Sequence, residues 1–138
     1  MPKAAELRRQ PIESEKITLN LGPVDLGQVD LLVQDGFYAN RTDFIRTAIR
    51  SQLGRHEQAL AGSVARHRLE LGIRHYSRAD LLAARDGGGA LHIQVLGLAV
   101  IADDVEPALA RAAIASIQVL GALRAPPAVK AALADRMR

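Results

Sequence analysis

The chain has no cysteine. That absence excludes a disulfide scaffold, a thiol nucleophile and any Cys-ligated metal site, and it suits a reducing compartment. Long hydrophobic runs are missing as well: the longest apolar stretch, Leu91 to Ala102, is too short to cross a bilayer and is interrupted by His92 and Gln94. No signal peptide is visible, so a cytoplasmic chain with no membrane association is expected. Charge of one sign is scarce too. The net charge is +3 and the isoelectric point lies near 9.8, while residues 1–56 hold eight Lys or Arg against seven Asp or Glu. Such a balance permits contact with a polyanion without arguing for it.

Catalytic constellations are equally thin. His56, His67, His75 and His92 form no i,i+4 pair and have no cysteine to assist them, so no metal site is expected. Gly87-Gly88-Gly89 precedes a strand pattern rather than a helix, the wrong order for a dinucleotide fingerprint. Asp103 and Asp104 lack a third acidic ligand, and Ser77 lies too close in sequence to His75 and Asp80 to form a triad. Helix capping accounts for both groups. Neither an enzyme nor a cofactor is expected.

Apolar residues make up 49% of the 138 positions, enough for one ordinary domain or two small ones. The organising stretch is Lys16 to His56. Lys16-Ile17-Thr18-Leu19-Asn20-Leu21 alternates with period two, placing Lys16, Thr18 and Asn20 on one face and Ile17, Leu19 and Leu21 on the other. This reads as a half-buried strand. Pro23 then opens a helix carrying Leu26, Val29, Leu32 and Val33, and Gly36 closes it. Asn40 is a good N-cap with Asp43 three residues on, followed by the apolar stripe of Phe44, Ile45, Ala48, Ile49 and Leu53.

A lone strand cannot satisfy its own backbone, and its economical partner is its own copy. Two chains would then form a two-stranded antiparallel ribbon over four helices, sharing a core of Ile17, Leu19, Leu21, Phe44, Ile45 and Ile49. The outer ribbon face would carry Lys16, Thr18 and Asn20 twice, on a surface narrow enough for a DNA major groove.

The strand, the Pro-led helix, the Gly turn and the run Tyr38-Ala39-Asn40-Arg41-Thr42-Asp43-Phe44-Ile45-Arg46-Thr47-Ala48-Ile49-Arg50 together resemble the ribbon-helix-helix repressors, the group of Arc, MetJ and CopG. The resemblance covers about residues 15–56. It implies base contacts from Lys16, Thr18 and Asn20, and backbone-phosphate contacts from Asn40, Arg41 and Thr42. Independently of it, a helix start offers free N–H groups and the positive dipole end to an anion. Asp25, Asp30 and Asp35 fall on the first helix, and Arg41, Arg46, Arg50 and Arg55 on the second. For Arg46, Arg50 and Arg55, solvated faces with ordinary ion pairs explain the pattern as well as DNA does. Arg41, at the helix start, is the better phosphate candidate.

Around this unit, residues 1–14 read as a flexible arm and residues 57–68 as a helical connector. Residues 69–138 form a second domain with an internal repeat. Ile93-Gln94-Val95-Leu96-Gly97 recurs as Ile117-Gln118-Val119-Leu120-Gly121, 24 residues on, each copy closed by glycine and followed by a helix start. The first following helix is expected over Asp103 to Leu109, with Asp103 as N-cap and Glu106 at the third position. The second is expected after Pro126 and Pro127. A degraded copy is Leu69-Glu70-Leu71-Gly72-Ile73, followed by Ser77 capping Arg78 to Arg85. Strand then helix at this period is the size of a leucine-rich-type solenoid turn, with a compact α/β domain as the alternative.

The expected fold class is thus α+β: an N-terminal ribbon-helix-helix unit, dimerising through an intermolecular antiparallel ribbon, and a C-terminal α/β repeat unit forming a short solenoid. The expected function is that of a dimeric, sequence-specific DNA-binding transcriptional regulator, a repressor, whose C-terminal domain serves oligomerisation or effector sensing. A DNA-binding antitoxin, or an accessory protein of plasmid partition or transfer, is the alternative. Expected partners are double-stranded DNA and a second copy of the chain, with higher assembly through residues 69–138.

Overall fold

The computed structural model describes residues 14–138, and these divide into two compact units, Ser14–Ser63 and Val64–Arg138. All but the last residue of the expected arm lies outside the described residues.

In the first unit, residues 16–21 carry no secondary structure within a single chain, because a ladder needs a partner and none is present among the described residues. Helix α1, Pro23–Gln34, starts with proline in its first turn and Asp25 beside the positive dipole end. It stops in a Schellman arrangement: the Gly36 N–H donates to the Val33 carbonyl at 3.1 Å and the Phe37 N–H to the Leu32 carbonyl at 3.0 Å. Gly36 sits at φ +87°, which glycine adopts without strain. Helix α2, Arg41–Arg55, follows, and helix α3, Glu57–Arg66, begins after a break at His56. The core here is thin. Val29 is the one buried residue of the unit among the described residues, while Ile17, Leu19, Val24, Leu31, Ile49 and Leu53 stand in solvent.

The second unit is a three-stranded, wholly parallel sheet in the order β1-β2-β3, with strands Glu70–Tyr76, Leu91–Ile101 and Ile114–Arg124. Helices α4, Arg78–Asp86, α5, Pro107–Ala113, and α6, Pro127–Ala132, follow the strands in turn. Ser77 starts α4 with a full capping box: its hydroxyl accepts from the Asp80 N–H at 3.1 Å, and the Asp80 carboxylate accepts from the Ser77 N–H at 2.9 Å. One face of the sheet presents Ile93, Val95, Ala99, Ile101 and Ile117 to Leu81, Leu109, Ala110, Ala113, Val129 and Leu133, all buried. Each of the larger aliphatic side chains among them contributes on the order of 1.5–3 kcal/mol by leaving water. The C-terminal segment is tied on by Arg136, which donates to the carbonyls of Arg111 and Ile114, and by the Arg111–Asp135 ion pair at 2.9 Å. Met137 bridges to Ile117 and so covers part of the β3 edge.

Ile93 to Gly97 lies beside Ile117 to Gly121 residue for residue, and Gly72 pairs with Gly97. A column of three glycines therefore crosses the sheet, all at positive φ: +126° for Gly72, +138° for Gly97 and +120° for Gly121. They do not close the strands, as the sequence pattern suggests; β2 runs on to Ile101 and β3 to Arg124. Because each glycine meets another across the ladder, all three strands adopt the same unusual backbone together and pairing continues through it.

The expected helix from Asp103 to Leu109 is also displaced. Asp103 and Asp104 form a turn, and α5 begins at Pro107 with Glu106 as N-cap at φ −85°, ψ 149°. The residue before a proline is pushed out of the helical region, so Glu106 cannot occupy a third helical position.

Candidate nucleic-acid interface

Lys16, Thr18 and Asn20 are exposed, and the intervening Ile17, Leu19 and Leu21 are exposed as well in the single chain, Ile17 at 75% and Leu19 at 58%. Alternation without burial is an unfinished strand. Its polar half carries an ammonium, a hydroxyl and an amide, the donor and acceptor types that read base edges. Phe44 and Ile45 are half-buried, with Phe44 held edge-on against Tyr38 at a ring separation of 5.0 Å, and Ile49 is exposed.

The start of α2 is built by two reciprocal bonds. The Asn40 side-chain oxygen accepts from the Asp43 N–H at 2.8 Å, and the Asp43 carboxylate accepts from the Ala39 N–H at 2.9 Å. The Phe44 N–H reaches the Asn40 carbonyl at 3.2 Å. Among the described residues, the backbone N–H groups of Arg41 and Thr42 then have no acceptor. Two adjacent donors at a positive dipole end make a ready anion cradle. The Asn40 side-chain oxygen is spent on the cap, which leaves its amide N–H groups as further donors beside the cradle.

Arg41 is held across to α1. Its Nε and Nη2 donate to the two carboxylate oxygens of Asp30 at 2.7 and 2.8 Å, a bidentate pair with both side chains about half exposed. This hydrogen bond, more than the charge attraction beside it, holds the Asp30 carboxyl below its ordinary pKa and raises that of the Arg41 guanidinium. Any stability from the pair is therefore complete above the ordinary carboxylate range and is lost as pH falls through the lowered pKa of folded Asp30. Asp30 was not singled out as a site residue by sequence reasoning. The segregation of acids onto the first helix and arginines onto the second was the available signal, but not which two would meet.

His92 shares a 2.8 Å hydrogen bond with Ser116, and His56 lies 3.4 Å from Gln52. Among the described residues no group of three His, Asp or Glu side chains is placed to hold a metal ion, and no helix is long and apolar enough to cross a membrane.

No curated protein and no solved structure matches the chain significantly. The ribbon-helix-helix transcriptional regulator family does match, over residues 12–130. The match takes in the alternating strand, both helices behind it and most of the parallel sheet unit. The chain belongs to the ribbon-helix-helix transcriptional regulator family.

Proposed function

We propose that the protein is a homodimeric, sequence-specific DNA-binding repressor, with residues 16–21 of two copies paired as an antiparallel ribbon in the major groove. The observation that carries this reading is the exposed apolar half of that strand. Ile17, Leu19 and Leu21 all remain exposed in the single chain, Ile17 most of all, and a second copy supplies both further cover and a ladder partner. Lys16, Thr18 and Asn20 then read bases. The backbone N–H groups of Arg41 and Thr42, the amide of Asn40 and the guanidinium N–H groups of Arg41 that Asp30 leaves unused hold a backbone phosphate, with the Asn40 oxygen fixing the helix start. No catalysis is assigned to the chain.

Replacing Lys16, Thr18 and Asn20 together by alanine is expected to leave the protein folded and to flatten its preference between specific and random DNA. Arg41→Ala is expected instead to weaken binding to all sequences alike and to lower the salt slope by about one unit. Titrations of both variants at several salt concentrations distinguish the roles. A triple variant that keeps its sequence preference would remove the strand as the reading element.

For the second unit we infer assembly of dimers. The sheet face opposite the helices carries two apolar rows in register, Leu71-Leu96-Leu120 and Ile73-Leu98-Ala122. Leu71 is 74% and Leu120 51% exposed, and the proposed dimer would hold two such faces at high effective concentration. A short solenoid of strand–helix turns has such open surfaces by construction. Leu71→Glu combined with Leu120→Glu is expected to preserve folding and binding to a single site and to abolish both association beyond the dimer and cooperativity on tandem sites. Light scattering and titration of one-site and two-site DNA check this; unchanged cooperativity would exclude the face as the assembly surface. The buried core of this unit also favours a regulator over an antitoxin, whose C-terminal segment would fold only on its toxin.

A further inference from the structure

The three strands of the sheet are parallel, so their carboxyl ends gather on one side. In open α/β sheets small ligands are held outside the carboxyl ends where the strand order reverses; this sheet keeps the order β1-β2-β3, so the cleft at its strand ends stands on its own lining. Here the final register row joins His75, Val100 and Arg124 across the sheet. The turn after β2 adds Asp103, and α6 adds Lys130. Together with Ile101, these residues line a cleft of about 390 Å³, within the range of small-molecule sites.

The chemistry of the lining is one-sided. Arg124 brings a guanidinium, Lys130 an ammonium and His75 an imidazole, against the single carboxylate of Asp103. Val100 and Ile101 supply an apolar wall. A guanidinium presents a planar fork that matches a carboxylate or phosphate, an ammonium adds a point charge, and a lone carboxylate beside them can accept from a hydroxyl or amine on the same ligand. The charged side chains come from two strand ends, a turn and a short helix. The glycine column keeps the strands in step, and so brings the strand-borne members level with one another.

We propose that this cleft is an effector site for a small organic anion, bearing a carboxylate or phosphate that Arg124 and Lys130 hold and a hydrogen-bond donor that Asp103 accepts. That the occupant regulates DNA binding rests on the repressor reading; that the cleft binds an anion does not. His75 and Arg124 lie on the same sheet face as Leu71, Ile73, Leu120 and Ala122, two residues along from Ile73 and Ala122. The anion therefore binds at the end of the surface proposed for assembly, where it can change how two such faces meet.

Calorimetric titration of the full chain with inorganic phosphate and, separately, with succinate tests the site and distinguishes the two anion classes. Saturable binding of either probe is expected. Lys130→Gln and Arg124→Gln are each expected to weaken it by about tenfold or more. Arg85→Gln, at an arginine on α4 paired with Asp86 and outside the cleft, is expected to leave it unchanged. Lys130 is exposed on α6, so its variant keeps the test decisive if Arg124→Gln fails to fold. Absence of saturable binding by both probes would overturn the proposal, as would an affinity unaltered in Lys130→Gln or lowered equally in Arg85→Gln. DNA binding measured on the same preparations separates the two readings: anion binding without DNA binding sinks the repressor, and DNA binding without anion binding sinks the effector site.

Discussion

Gly97→Ala is expected to unfold the Val64–Arg138 unit, or to bring it to the edge of unfolding. A Cβ built on Gly97 would lie 2.2 Å from the Gly72 carbonyl oxygen, closer than such atoms approach, and the obstacle is backbone that cannot swing aside. The position also sits at φ +138°, a conformation that L side chains rarely adopt. Backbone strain of about 1–3 kcal/mol and overpacking of about 1–3 kcal/mol then act together, for a total of roughly 2–6 kcal/mol. Whole domains hold only about 5–15 kcal/mol.

The column supplies its own control. Gly121→Ala meets the Gly97 carbonyl oxygen at 2.1 Å, whereas a Cβ on Gly72 meets nothing within 4 Å. Gly72→Ala should therefore show only the backbone part of the loss. Denaturant unfolding followed by circular dichroism on the three variants gives the order: Gly97 and Gly121 alike, Gly72 clearly milder. Equal losses at all three positions would mean that φ alone, and not the close approach of the strands, requires glycine here.

This column also marks where sequence reasoning stops. Two matching pentapeptides made the strand pairing of β2 and β3 legible, since identical segments at a fixed spacing stack in register. Gly72 lies 25 residues before Gly97, one more than the spacing of the two matching copies, so sequence spacing alone does not set the register of β1; the structure sets it as glycine on glycine. In the sequence the glycines read as turns, because glycine is the residue that tight turns favour. Only lateral neighbours with the same backbone turn it into a strand interior, and neighbours are not written in a local pattern. The α1 stop at Gly36, the Asn40 cap and the Ser77 capping box were legible for the opposite reason: each is decided within a few residues. The α5 start was misread where two local rules competed, the capping spacing of Asp103 and Glu106 against the restriction that Pro107 imposes on Glu106, and the steric rule won. The Asp30–Arg41 pair and the cleft at the strand ends join residues that only the fold brings together.

Leu19→Asp addresses what a single chain cannot display. In isolation Leu19 is 58% exposed, so a monomeric protein would accept aspartate there at almost no cost, as most exposed positions do. In the proposed dimer the same side chain lies between two chains, once from each copy and close to the two-fold axis. A carboxylate there would be stripped of water without a cation to pair it, and its twin would repel it. The expected loss is several kcal/mol, on the order of what an unpaired buried charge costs, and the thin core of the Ser14–Ser63 unit, with Val29 alone buried, leaves little to absorb it. Sedimentation equilibrium should show a monomer, and circular dichroism a loss of helix confined to that unit, while the parallel sheet unit keeps its own transition. Thr18→Asp, one residue away on the opposite ribbon face, should remain dimeric and lose DNA affinity instead, because its charge enters the groove of a polyanion and not the core. A folded, dimeric Leu19→Asp protein would sink the ribbon, and with it the assignment of Lys16, Thr18 and Asn20 to the groove.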